Sequence, residues 1–251
     1  MSMKKTIIAF TILASLPVSA KNWSFLVEPY LMATKIEGDA SIGRLSGVPV
    51  DVDFQTILDN LDMAAMIHAE AHHKSGWGMF IDYGFMDLSQ THTNSRDGIA
   101  KATIRQGVLE AAGLYRVNYG RNIVDYFVGI RWWDNDLSLL FDVNITPDNN
   151  RMTAVKEDWV DIVAGVRWQH ALNKRWSLMA RGDLGGFGAS ADFTSTVETG
   201  FSYNISKLMT VNVRYKASWV DYDNGIDEKQ IGSFRYDTIT HGPTLGLQFK
   251  F

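Results

Sequence analysis

From residue 22 to the end, apolar and polar positions alternate with a period of two. That is the spacing of strands whose two faces meet different surroundings. Val124, Tyr126, Val128, Ile130 and Trp132 share one face, and Asp125, Phe127, Gly129, Arg131 and Trp133 the other. Val160, Ile162, Ala164, Val166 and Trp168 repeat the apolar phase, against Asp161, Val163, Gly165, Arg167 and Gln169. Both segments carry the frame Val-Asp-x-x-x-Gly-x-Arg-Trp, at 124–132 and 160–168. It reads equally as an internal repeat or as two strands solving one packing problem. Ten segments are predicted as strands: 22–36, 61–73, 77–89, 101–117, 122–133, 158–170, 175–185, 192–203, 208–221 and 233–251. Tight turns at 74–76, 118–121, 171–174 and 204–207 alternate with long polar connections at 37–60, 90–100, 134–157 and 222–232. The glycine-rich link at 186–191 is intermediate in length. This asymmetry predicts an all-β fold, a closed antiparallel transmembrane barrel of about ten strands with both termini at the short-turn end. Twelve strands, with Leu137 to Val143 starting another hairpin, and eight are the alternatives.

A soluble barrel also alternates, so the placement of aromatics matters more. On the apolar face Trp23, Trp77, Tyr115, Trp168, Trp176, Tyr203, Phe249 and Phe251 gather toward the short-turn end. Phe85, Trp132, Phe193 and Trp219 lie toward the long-loop end, with aliphatic residues between. Two girdles flanking an aliphatic band suit a wall facing lipid. The opposite face is too charged for a soluble core. Its expected network is Glu70, Asp125, Arg131, Asp161, Arg167, Arg181, Asp183, Glu198 and Arg214, with Glu28, Asp62, Asp82, Glu110, Arg116 and Lys216 on the same face. In lipid this face lines the lumen, and closure is required because an open edge would leave backbone groups unpaired. Ten strands lie close to the eight-stranded case, which side chains can fill. The charges therefore either plug the lumen or line a narrow path.

Composition adds a location. Lys4 and Lys5 precede a short apolar run, Ile7 to Leu16, and the small residues Val18-Ser19-Ala20. This predicts a leader over 1–20, cleaved after Ala20, and a barrel over 21–251 in the bacterial outer membrane. The apolar run falls short of the roughly 20 residues of a spanning helix. Net charge is −4 with no basic stripe, so no nucleic-acid partner is expected. Cysteine is absent, which excludes disulfides and thiolate chemistry.

Candidate chemistry is thin. His68-x-Glu70-x-His72 puts three possible ligands on one face of a strand. Same-face neighbours stand roughly 6.5–7 Å apart, too far for all three to reach one zinc at about 2 Å. They are read as members of the polar network, with His73 pointing outward, and no metal or cofactor is expected. Asp53, Phe54, Ile57, Leu58 and Leu61 predict a short amphipathic helix over 53–61, capped by Asp53. It could serve as a lid, lie in the headgroups, or simply pack the loop. Asp134, Asp136, Asp221 and Asp223 lie near the long-loop rim without an accompanying histidine, and no Ser-His-acid set stands out. The expectation is a non-enzyme, either a small porin-like channel or a structural membrane protein with a largely filled lumen. An outer-membrane enzyme (protease or lipid A hydrolase) and a lipopolysaccharide- or ligand-binding surface protein are the alternatives.

The last residues, Thr-Leu-Gly-Leu-Gln-Phe-Lys-Phe, resemble the terminal-strand signature of bacterial outer-membrane proteins. Thr244, Gly246, Phe249 and Phe251 match its fixed places. The resemblance implies recognition by the barrel assembly machinery, with outer-membrane lipid and lipopolysaccharide as further partners. Glu28-Pro-Tyr-Leu31, Asp183-Leu-Gly-Gly-Phe-Gly188 and His241-Gly-Pro-Thr-Leu-Gly246 are similar to segments of a family of uncharacterised small porin-like proteobacterial outer-membrane proteins. That family implies a fold and a location, and no catalytic residues.

Overall fold

The computed structural model describes residues 22–42, 45–93, 99–142, 151–227, 230 and 232–251. The leader expected over 1–20 and its cleavage site lie outside these residues. In chain order the elements are β1 (Trp23–Met32), β2 (Lys35–Ile42), β3 (Leu45–Val52), α1 (Phe54–Asn60), β4 (Leu61–His73) and β5 (Trp77–Thr93). They continue with β6 (Ile99–Tyr119), β7 (Asn122–Asp142), β8 (Arg151–Ala171), β9 (Trp176–Gly186), β10 (Phe193–Asn204), β11 (Met209–Asp223) and β12 (Phe234–Lys250). β1 and β4 to β12 pair antiparallel in sequence order, and β1 pairs with β12 to close a ten-stranded barrel. No helix among the described residues is long and apolar enough to cross a membrane.

The expected first strand, 22–36, is two strands. β1 lies between β4 and β12, and after a jog at Ala33 and Thr34 the chain continues as β2, still along β12 but no longer beside β4. Gly242 makes the jog possible, because a Cβ there would stand 1.9 Å from the Ala33 carbonyl oxygen. The expected loop 37–60 holds β3, which pairs only with β2, so the sheet has twelve strands while the closed wall has ten. The expected loops 90–100 and 134–157 are mostly strand, since β5 with β6 and β7 with β8 run on as long hairpins. Leu137 to Asp142 extends β7 and starts no new hairpin, and Val143 lies outside the described residues. Beyond the closed wall both faces of a ribbon meet similar surroundings, and the period-two signal that marks a strand fades.

α1 forms where the spacing predicted it. Asp53 caps it, accepting from the Thr56 N–H at 2.7 Å. Ile57 packs inward on Ile36, Met86 and Leu88, while Phe54 and Leu58 stay exposed. Trp23, Trp77, Tyr115, Trp168 and Trp176 are exposed on the outer wall toward the short-turn end, and Trp132 and Phe193 toward the other. Trp77 packs edge-on against Tyr115 and Trp176 lies tilted on Tyr203, so rings of neighbouring strands touch within the girdle at these two seams.

Candidate functional site

Side chains from every wall strand converge in the lumen, and it is layered. Its middle is an ion ring. Arg131 reaches Glu110 at 2.8 Å and Asp183 at 2.9 Å, and Arg181 reaches the same two acids at 2.5 and 2.9 Å. β6, β7 and β9 supply the four groups, which lie in the lumen phase of their strands. The Arg181 guanidinium also lies over the rings of Phe127 and Phe80, 4.9 and 5.4 Å from their centroids. Two acids and two guanidiniums balance one another in charge, as buried ions must, although Arg131 Nη1 and Arg181 Nε find no hydrogen-bond partner among the described residues.

A second network lies nearer the short-turn end. Asp125 takes Arg116 at 2.6 Å and Arg167 at 2.8 Å, and Arg167 makes a fork to Glu70 across the lumen. Glu70 is bonded by His68 at 2.7 Å and His72 at 2.5 Å, and His68 also meets Asp82 at 3.0 Å. The His-x-Glu-x-His face is therefore a hydrogen-bonded chain, and no group of three or more metal-ligating side chains able to hold an ion occurs among the described residues. Arg214 joins Glu28 at 3.0 Å and Glu198 at 3.4 Å. These networks surround a chamber of about 360 Å³ that reaches the short-turn end at Lys250 and Phe251.

The third layer was not expected. Toward the long-loop end Trp133, Trp159, Tyr222, Phe234 and Tyr236 form a buried aromatic roof inside the barrel. Trp159 stacks on Tyr222 with ring centroids 3.8 Å apart and planes within 6°. The link 187–192 folds in over it, placing Ala191 in the roof. The signal was present in the sequence: Trp133 and Trp159 occupy the polar phase of strands otherwise read as charged inside.

Eight of the nine expected network residues enter ion pairs. Asp161 does not. It accepts from Trp159 Nε1 at 3.1 Å and from the Ala191 N–H at 3.0 Å, so it pins the roof. Its neighbour across the sheet, Arg131, is drawn instead to Glu110 and Asp183. Glu110 and Tyr30, outside those nine, matter as much, since Glu110 closes the ring and Tyr30 donates to Asp82 at 2.9 Å. The rim acids do not meet. Asp134 and Asp136 are on β7, Asp221 and Asp223 on β11, all in the outward phase and with three strands between. Asp223 is paired with Arg235 at 2.5 Å.

The repeated frame finds its reason in the register. β7 and β8 run antiparallel with Asp125 opposite Arg167 and Arg131 opposite Asp161. The same is true of Phe127 opposite Gly165, where a Cβ would stand 2.5 Å from the Phe127 ring. Two copies of one frame, turned head to tail, thus set opposite charges across from each other; Asp125 and Arg167 meet as an ion pair, while Arg131 turns from Asp161 to Glu110 and Asp183.

No family model matches the chain, and no curated protein matches it. Among solved structures it is similar to the outer-membrane protease OmpT of Escherichia coli, with a TM-score of 0.53 and 10% identity over 94% of this chain and 99% of that one. It is also similar to the translocator domain of the autotransporter NalP of Neisseria meningitidis, at 0.50 and 10% over 94% and 91%. Identities this low show the fold alone. The fold is a closed antiparallel ten-stranded barrel, and the solved structures that share it are outer-membrane β-barrels of Gram-negative bacteria.

Proposed function

We propose that the chain is an integral outer-membrane protein whose lumen is shut to ions, and that it acts as a structural or surface protein and not as a catalyst. On this reading a leader cleaved after Ala20 exports it, the assembly machinery recognises its last strand, and lipid and lipopolysaccharide surround it. One observation carries the reading: the ring of Arg131, Glu110, Arg181 and Asp183, each side chain at most 8% exposed, lies under an aromatic roof. An ion crossing the lumen would have to displace paired buried charges and then pass a packed apolar layer, each of which is costly. The test is conductance of the refolded barrel in a planar bilayer, with folding confirmed by heat-dependent gel mobility. A silent bilayer supports the reading.

A small porin-like channel is the second reading. The charged chamber of about 360 Å³ favours it, since it meets an upper cavity at Tyr30, Asp82 and Lys216. Steady conductance that shifts when Arg131 and Arg167 become Ala would establish the channel and overturn the closed lumen.

A further inference from the structure

Among the described residues, the seam between β1 and β4 in the closed wall is incomplete. β1 and β4 pair from Trp23 with His73 up to Pro29 with Ile67. There the pairing stops, although Tyr30 to Met32 stay on β12 and Leu61 to Met66 stay with β5. Among the described residues the β1-facing edge of β4 above Ile67 has no strand partner. A cavity of about 100 Å³ lies at this gap. Met32 and Thr34 line it from one side of the seam and Met66 from the other. Val108, Met86 and Trp133 form its inner walls, and Met86 also packs under Ile57, so α1 covers its long-loop end. Tyr30, Asp82 and Lys216 form the boundary it shares with the charged chamber.

The depth of the gap identifies what lies outside it. Pairing ends six residues along β1 from Trp23, which stands in the short-turn girdle. A crossing takes about 9–11 residues, so the gap opens beyond the midplane. Just above it, Lys35, Glu37 and His241 form an ion cluster on the outer wall, with contacts of 2.5 and 2.8 Å. Charges on a lipid-facing wall are costly at the midplane and cheap at the interface, which sets the hydrocarbon boundary at that cluster. The gap therefore lies within the hydrocarbon of the outer leaflet, where the local solvent is acyl chain. A bare strand edge facing lipid is not tolerated at that depth. In an antiparallel strand every second residue turns its N–H to the same side, so this edge offers donors to an ester carbonyl while the cavity walls offer apolar contact.

We propose that the cavity takes one acyl chain of an outer-leaflet lipid, entering sideways between β1 and β4. The inference rests on the membrane placement proposed above and is independent of whether the lumen conducts. The probe is a phosphatidylcholine with a diazirine midway along one acyl chain, present as a minor component of phosphatidylcholine vesicles holding the refolded barrel. After irradiation, adducts are mapped by peptide mass spectrometry. Adducts are expected on outward residues such as Ile81 and Val128, and also on lumen-facing Met66 and Trp133. Met66→Trp fills the doorway and should cut the lumen adducts at least ten-fold while leaving the wall adducts unchanged. Thr34→Trp does the same from the opposite side if the first variant fails to fold. Adducts confined to the outer wall, or lumen adducts indifferent to both variants, overturn the proposal. No adducts on either face would sink the membrane placement and this inference with it.

Discussion

At the level of single residues, Gly246 of the last strand has a packing role inside the barrel. A Cβ on Gly246 would stand 2.0 Å from Glu28 Oε1. Glu28 is buried and holds Asn212 at 2.8 Å as well as Arg214. The glycine is thus the space in which an ion pair sits. Gly246→Ala should destabilise the barrel by about 1–3 kcal/mol, the usual cost of overpacking, read as a lower temperature for the heat-induced gel shift. In a Glu28→Ala background the same change should cost less, since neighbours that share a contact are not additive. Equal losses in both backgrounds would show that the glycine does not serve Glu28. Gly246 was legible as part of a motif, but the buried acid that needs it lies 218 positions earlier (246 − 28) on a different strand.

At the level of elements, α1 is the piece most independent of the rest, because its cap is local. The hydrogen bond from the Thr56 N–H holds the Asp53 carboxyl below its ordinary range. A lowered acid stabilises the fold above the unfolded pKa, and that stabilisation is lost as pH falls through the folded value. Amide protection at Thr56 and Ile57 should therefore persist near neutral pH and weaken in acid. Asp53→Asn should remove the pH dependence while keeping much of the cap, and Asp53→Ala should lose protection at all pH values. Protection that is unchanged in Asp53→Ala would show that packing of Ile57 alone holds the helix. The helix and its cap could be read from spacing because both depend on residues three or four apart. The split of β1 from β2 could not, because it depends on which partner strand the chain follows after Ala33.

At the level of the molecule, the ring and the roof are barriers in series. Arg131→Ala removes one guanidinium from the ring but leaves the aromatics packed, and Trp159→Ala opens the roof but leaves the ring. Either change alone should leave the bilayer nearly silent, and the two together should give measurable conductance. Single-variant conductance equal to that of the double would mean that only one layer blocks the lumen. Removing one partner of a buried ion pair costs about 3–5 kcal/mol, so each variant needs its folded state checked by gel mobility first.

The sequence by itself determined the all-β barrel, the wall and lumen phases of most strands, the girdles, the capped helix and most of the charged lining. Each of these follows from local periodicity or from residue type at a known phase. Only the tertiary structure decided which charges meet, that Asp161 holds the roof and not the ring, that aromatics close the long-loop end, and that β1 parts from β4 above Ile67. These are matters of stagger between strands and of the distance across the lumen. A period of two says which side of the wall a residue faces, and nothing about the height at which the opposite wall brings its partner.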